Sequence, residues 1–250
     1  MVRNKIQEKM FLIPSLITVI GSFCGFLAIL QAVKGNFDYS IRCIALSFVV
    51  DGLDGRVARR LNATSAFGRE FDSLSDLVAF GVAPAILIYS WAFSQIADEF
   101  GVLVVFAYMV AGATRLARFN IDTRSRNYFV GLPIPAGAAA LASLVYWNPQ
   151  PVTSYYGVML LLIYCVIIAV LMVSTLTYPS VKKIKLIDAG SMRNLVILAI
   201  LVALTWYHSR LIIVGISTGY ALSGLFIYAA KKLSPNIANK LKLIFEPNEH

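Results

Sequence analysis

Residues 49–81, VVDGLDGRVARRLNATSAFGREFDSLSDLVAFG, decide how this chain is read, because they set four aspartates between two strongly apolar runs. Asp51, Asp54, Asp72 and Asp76 are four of only 13 acidic residues among 250. A carboxylate in or beside a membrane helix is costly, so it marks a function or a bound partner. On a helix turning 100° per residue, Asp51, Asp54, Gly55 and Ala58 share a stripe about 100° wide. Arg59 borders that stripe, while Arg56 and Arg60 turn away from it. Gly68, Asp72 and Asp76 follow one another along one face of the next helix, within about 80°. Each helix therefore offers a carboxylate pair beside small residues that let a ligand approach the backbone.

The flanks are those of a membrane protein. Hydrophobic residues make up 58% of the chain and charged ones 14%, with a mean hydropathy of +0.73; soluble domains carry about 25% charge. Apolar windows long enough to cross a bilayer predict eight helices near residues 11–33, 39–59, 67–96, 101–121, 131–147, 155–179, 193–208 and 211–231. The breaks fall at KGNFD, ADEFG, WNPQP and YPSVKKIKLIDAG. The expectation is one all-α integral membrane domain spanning residues 1–250. Its first six helices, within 11–179, enclose the acids, and two additional helices at 193–231 pack outside them. Residues 1–10 and 234–247 alternate basic and apolar positions as surface-lying segments do, the latter within a tail of residues 232–250. No cleavable signal is expected at the N-terminus.

Charge placement orients the chain. Nineteen of its 22 basic residues fall on the side that carries the aspartates, leaving Lys34, Arg42 and Arg210 for the other. The positive-inside rule then puts both termini and the four acids in the cytoplasm. The formal charge of +9 suits loops facing anionic lipid and calls for no nucleic acid. Cys24, Cys43 and Cys165 lie apart in apolar segments and read as small buried hydrophobes. Gly21 and Gly25 form a small-xxx-small packing face.

Four ionised carboxylates facing one another repel, and two divalent cations balance them. Hard cations such as Mg²⁺ take oxygen ligands and keep positions open for phosphates. A metal pair can hold the attacking and leaving oxygens of a phosphoryl transfer, and Arg59 would suit a phosphate oxygen. The plainer alternative is four interfacial acids that snorkel to water and pair with arginines; two coherent faces with interleaved glycines argue against it. A cation-coupled transporter would place its acids at mid-membrane and often repeat the motif in its other half. Neither feature is present.

The spacing Asp51-x2-Asp54-Gly55-x2-Ala58-Arg59-x8-Gly68-x3-Asp72-x3-Asp76 resembles, at every specified position, the signature of the CDP-alcohol phosphotransferases. That resemblance implies an integral membrane enzyme that displaces CMP from a CDP-linked lipid or alcohol with the hydroxyl of an acceptor. It further implies that Asp51, Asp54, Asp72 and Asp76 hold two divalent ions, Mg²⁺ or Mn²⁺, and that Asp76 is also the catalytic base. Gly55, Ala58, Arg59 and Gly68 would line the pocket for CDP. A homodimer in the bacterial inner membrane, surrounded by membrane lipids, is implied too.

Residues 13–29 (IPSLITVIGSFCGFLAI), 113–120 (ATRLARFN) and 129–138 (FVGLPIPAGA) look like the membrane-integral bacterial phosphatidylserine synthases, which implies CDP-diacylglycerol and L-serine as substrates. Ser15 and Gly21 stand where that group commonly carries Asn. Serine is a zwitterion, so its carboxylate needs a cation; Arg115 and Arg118, with Asn120 close behind, are the candidates. Glycerol-3-phosphate, inositol phosphate and choline are the competing acceptors. Choline would ask for an aromatic or acidic cage, which the arginine pair does not provide.

Overall fold

The computed structural model describes residues 2–60, 65–121, 128–179 and 209–233. Seven helices occupy them: α1 (Val2–Val33), α2 (Phe37–Arg60), α3 (Ala66–Phe93), α4 (Asp98–Ile121), α5 (Ile134–Trp147), α6 (Tyr155–Val173) and α7 (Ser209–Leu233). Five are long and apolar enough to cross a membrane, within Ser15–Val33, Ala66–Phe93, Glu99–Ile121, Tyr155–Val173 and Arg210–Ala230. α2 has 24 residues, about 36 Å of helix, but charge at both ends lowers its hydropathy. α5 is shorter, with 14 residues. Of the eight expected spans, 193–208 lies outside the described residues, as does the segment 234–247. α1 runs unbroken from Val2, so residues 2–10 continue the first helix.

α3 is the central element, and its burial is made possible by small residues. A Cβ on Gly25 of α1 would lie 2.8 Å from the Ala79 Cα, so the two helices touch backbone to backbone, as small-residue membrane interfaces do. Gly21, the other half of that expected packing face, accepts a hydrogen bond from Ser47 Oγ at its carbonyl, 3.0 Å. Ser40 Oγ likewise donates to the Ala28 carbonyl, 2.8 Å. Together these bonds fasten α2 to α1. Large apolar side chains such as Phe23, Phe26, Leu103, Phe106 and Leu160 stay exposed, which suits a surface bathed in lipid rather than water. The three cysteines are buried and free, as expected.

α3 is not regular. It widens into π-helical turns at Leu77–Val82 and Tyr89–Phe93, and such turns recur near functional sites. Pro84 has no N–H to give the carbonyl four residues earlier. That carbonyl, of Phe80, instead accepts from the buried Tyr108 hydroxyl of α4 at 2.8 Å. The Trp91 indole N–H, at the far end of α3, bonds the Asn148 and Gln150 carbonyls at 3.1 and 2.7 Å.

Two features depart from an all-helical reading. Strand β1 (Tyr128–Val130) pairs antiparallel with β2 (Thr177–Pro179), with Phe129 opposite Tyr178. The helix expected over 155–179 therefore ends at Val173. Gly131, at φ +77°, turns β1 into α5; its N–H donates to the Leu176 carbonyl, 2.8 Å.

Candidate metal centre

The end of α2 and the start of α3 bring the four aspartates together, with α1 closing the third side. One carboxylate oxygen from each of Asp51, Asp72 and Asp76 lies within 4.8 Å of the others. Carboxylates gathered that closely repel one another unless a proton or a cation lies between them. Asp54 is buried, and its Oδ2 accepts from Thr18 Oγ1 at 3.0 Å. The four surround a cavity of about 10 Å³ that Thr18, Gly21, Ser47, Ser75, Ala79 and Phe80 complete. The space is on the scale of ions and water molecules rather than of an organic ligand.

These residues fit a divalent metal. The donors are all oxygen, their charge calls for a strong cation, and the space is ion-sized. Hydroxyls hold the frame behind them. Ser22 Oγ donates to Ser75 Oγ at 2.7 Å, and Ser75 Oγ reaches the Thr18 carbonyl at 3.3 Å. Sequence reasoning missed Thr18, Ser22, Ser47 and Ser75. The available signal was a hydroxyl beside or one turn before an acid, at Ser75 and Ser47, in an otherwise apolar run.

The start of α3 is fixed by Ser65, whose side chain accepts from the Gly68 N–H at 2.9 Å. An N-cap of this kind satisfies a donor that the first helical turn leaves open. Gly55 is half-buried on α2, one residue after Asp54. Ala58 and Arg59 continue that helix, and their side chains lie outside the described residues.

The three residues predicted for the acceptor are placed differently from one another. Arg115 is 8% exposed, with its guanidinium 5.6 Å from the Phe119 ring and 5.8 Å from the Phe129 ring. It lies within electrostatic reach of Asp76. Arg118 donates to the Val173 and Ser174 carbonyls, at 2.8 and 3.2 Å. It thereby caps the C-terminus of α6, where a cation also meets the negative end of the helix dipole. Asn120 Nδ2 donates to Glu70 and Ser73, at 3.1 and 3.0 Å, joining the end of α4 to the start of α3. Arg118 and Asn120 thus hold neighbouring helix ends, while Arg115 is packed against two aromatic rings.

The model of the CDP-alcohol phosphatidyltransferase family matches residues 11–177. The CDP-diacylglycerol–serine O-phosphatidyltransferase of Helicobacter pylori is 39% identical over 181 residues, covering 71% of this chain and 76% of that protein. The enzyme of the same name from Bacillus subtilis is 38% identical over 172 residues, covering 68% of this chain and 92% of its own length. An archaetidylserine synthase of Methanothermobacter thermautotrophicus is 35% identical over 185 residues, covering 72% and 75%. The chain belongs to the CDP-alcohol phosphatidyltransferase family.

Proposed function

We propose that this family member transfers the phosphatidyl group of CDP-diacylglycerol to L-serine and releases CMP. The observation that carries the reading is the carboxylate cluster itself, formed by the family signature in a chain similar to bacterial and archaeal proteins with serine in their names. Arg115 supports serine as acceptor. It is 8% exposed and its guanidinium lies beside the Phe119 and Phe129 rings, a planar fork of the kind suited to a carboxylate.

In this reading Asp51, Asp54, Asp72 and Asp76 hold two divalent ions, Mg²⁺ or Mn²⁺. When bound, the ions offset negative charge on the β-phosphoryl oxygens and on the departing CMP. Gly55, Ala58, Arg59 and Gly68 border the cytidine diphosphate. Asp76 takes the proton of the serine hydroxyl as its oxygen bonds to the β-phosphorus. The bond from that phosphorus to the bridging oxygen breaks, and CMP leaves with the electron pair. The hydroxyls of the cavity wall, on Thr18, Ser47 and Ser75, are each engaged in a hydrogen bond, so we read the displacement as direct. The site faces the cytoplasm of a bacterial inner membrane, with both termini on that side, and the protein works as a homodimer.

The test is CMP release from CDP-diacylglycerol in detergent, with serine, glycerol-3-phosphate, inositol phosphate or choline supplied separately. Release that depends on serine and stops with EDTA is the expected result. Release with another alcohol would retain the metal chemistry and displace serine. Release with none of them, from folded protein supplied with Mg²⁺ or Mn²⁺, would refute the assignment.

A further inference from the structure

α7 lies beyond the residues that the family matches, yet a packed chain of aromatic side chains connects it to Arg115. The chain starts at Phe129 of β1, whose ring flanks the guanidinium at 5.8 Å. Phe129 is paired with Tyr178 of β2, and directly opposed residues of an antiparallel pair point to the same face. Tyr178 is fully buried, and its hydroxyl donates to the Ala221 carbonyl of α7 at 3.0 Å. Its ring is seated on Gly224, where a Cβ would come within 2.5 Å of it. Tyr220 completes the contact: its ring lies 5.9 Å from that of Tyr178, and its hydroxyl donates to the Pro179 carbonyl at 3.1 Å. Burial pushes the Tyr178 phenol up to about 12, so it remains a donor throughout the ordinary pH range. Tyr220 is also within electrostatic reach of Arg115.

Two hydrogen bonds running in opposite directions, one from each tyrosine, lock β2 to α7, and β2 holds β1 in register. Phe129 can press on Arg115 only while that register is kept. A guanidinium wedged between two rings keeps one orientation, and it binds an anion without first losing the freedom of a long side chain. We infer that Tyr178 and Tyr220 are positioning residues for Arg115, so that α7 sets the affinity for the acceptor. The inference rests on the reading of Arg115 as the cation for the acceptor's carboxylate.

The experiment compares Tyr178→Phe, Tyr220→Phe and Gly224→Val with Arg115→Lys in the full-length protein, measuring KM for serine and for CDP-diacylglycerol separately. KM does not depend on the fraction of protein that is folded, so a less stable variant still reports. The expected result is a serine KM raised about fivefold by either phenylalanine variant, the order of one lost hydrogen bond, and more by Gly224→Val. KM for CDP-diacylglycerol and kcat should stay within about twofold. Arg115→Lys should raise the serine KM furthest. If Arg115→Lys raises it and the other three do not, the clamp is refuted and the acceptor reading stands. If the three lower kcat or raise both KM values alike, α7 is mere structural support. An unchanged serine KM in Arg115→Lys would remove the reading of Arg115 and the inference with it.

Discussion

Asp76 stands where proton transfer and metal binding meet, and its replacement separates the two. Asp76→Asn keeps the shape and one oxygen donor but cannot accept the proton. CMP release should fall by about 10²-fold or more, the usual weight of a positioned base, while the thermal unfolding midpoint in detergent stays near that of the parent. Thr18→Val is a subtler case. It removes the hydroxyl that orients Asp54, and such outer partners typically tune metal affinity by about 10- to 100-fold. A titration of activity against Mg²⁺ should shift to higher concentration, with the maximal rate largely recovered at saturation. The aspartates could be read from the sequence because helical spacing alone aligns them. Thr18 could not, since it comes from α1 and meets Asp54 only once two helices have packed. Arg118 and Asn120 show the same limit from the other side: their chemistry suits an acceptor, but the ends of α6 and α3 engage them.

Among the elements, the positions of helices follow from apolar windows and the punctuation between them, and most expected spans fall within a few residues of those observed. What composition does not reveal is where a helix must deform. Tyr108 shows the cost of one such deformation, since its hydroxyl serves the carbonyl that Pro84 leaves open. Tyr108→Phe should lower stability by about 1–3 kcal/mol, the range for a buried polar group left unpaired, read as a lower unfolding midpoint in detergent. Gly25→Val should be more damaging, because its first side-chain atom would meet the Ala79 backbone. The expected outcome is loss of the folded, monodisperse species in size-exclusion chromatography, whereas Gly52→Ala, facing open space, should elute normally. The β1–β2 pair escaped the sequence because three residues per strand give too short a run for alternation to register. It forms because Phe129 and Tyr178 find partners on α4 and α7.

For the whole molecule, the uneven spread of lysine and arginine makes orientation testable. Cysteine introduced at Asn36 should react with a membrane-impermeant thiol reagent on intact cells, and cysteine at Arg69 only after the membrane is opened. The reverse pattern would invert the proposed topology. Metal dependence is also a property of the whole assembly. EDTA should abolish CMP release, and excess Mg²⁺ or Mn²⁺ should restore it, with near-native helix content by circular dichroism throughout. An unfolded apo-protein would instead mean that the ions hold the bundle together. The family and its carboxylate cluster were legible because they are local in sequence. The role proposed for α7 was not, because nothing in residues 209–233 resembles a site until Tyr178 is placed against it.

The π turn at Leu77–Val82 has a consequence for how this helix can vary. A turn of that kind accommodates one residue more than an α-helix would use, which offsets the two stretches on either side by about 100°. Asp72 and Asp76 therefore face their site in one angular frame, while Ala83 and Leu87 meet the core in another. Winding the same residues as a regular α-helix would swing one stretch about 100° out of phase with its partners. Deleting one residue from the turn would instead give a smoother helix with both stretches still facing theirs. The irregularity is what allows a single rod with this number of residues to serve both surfaces.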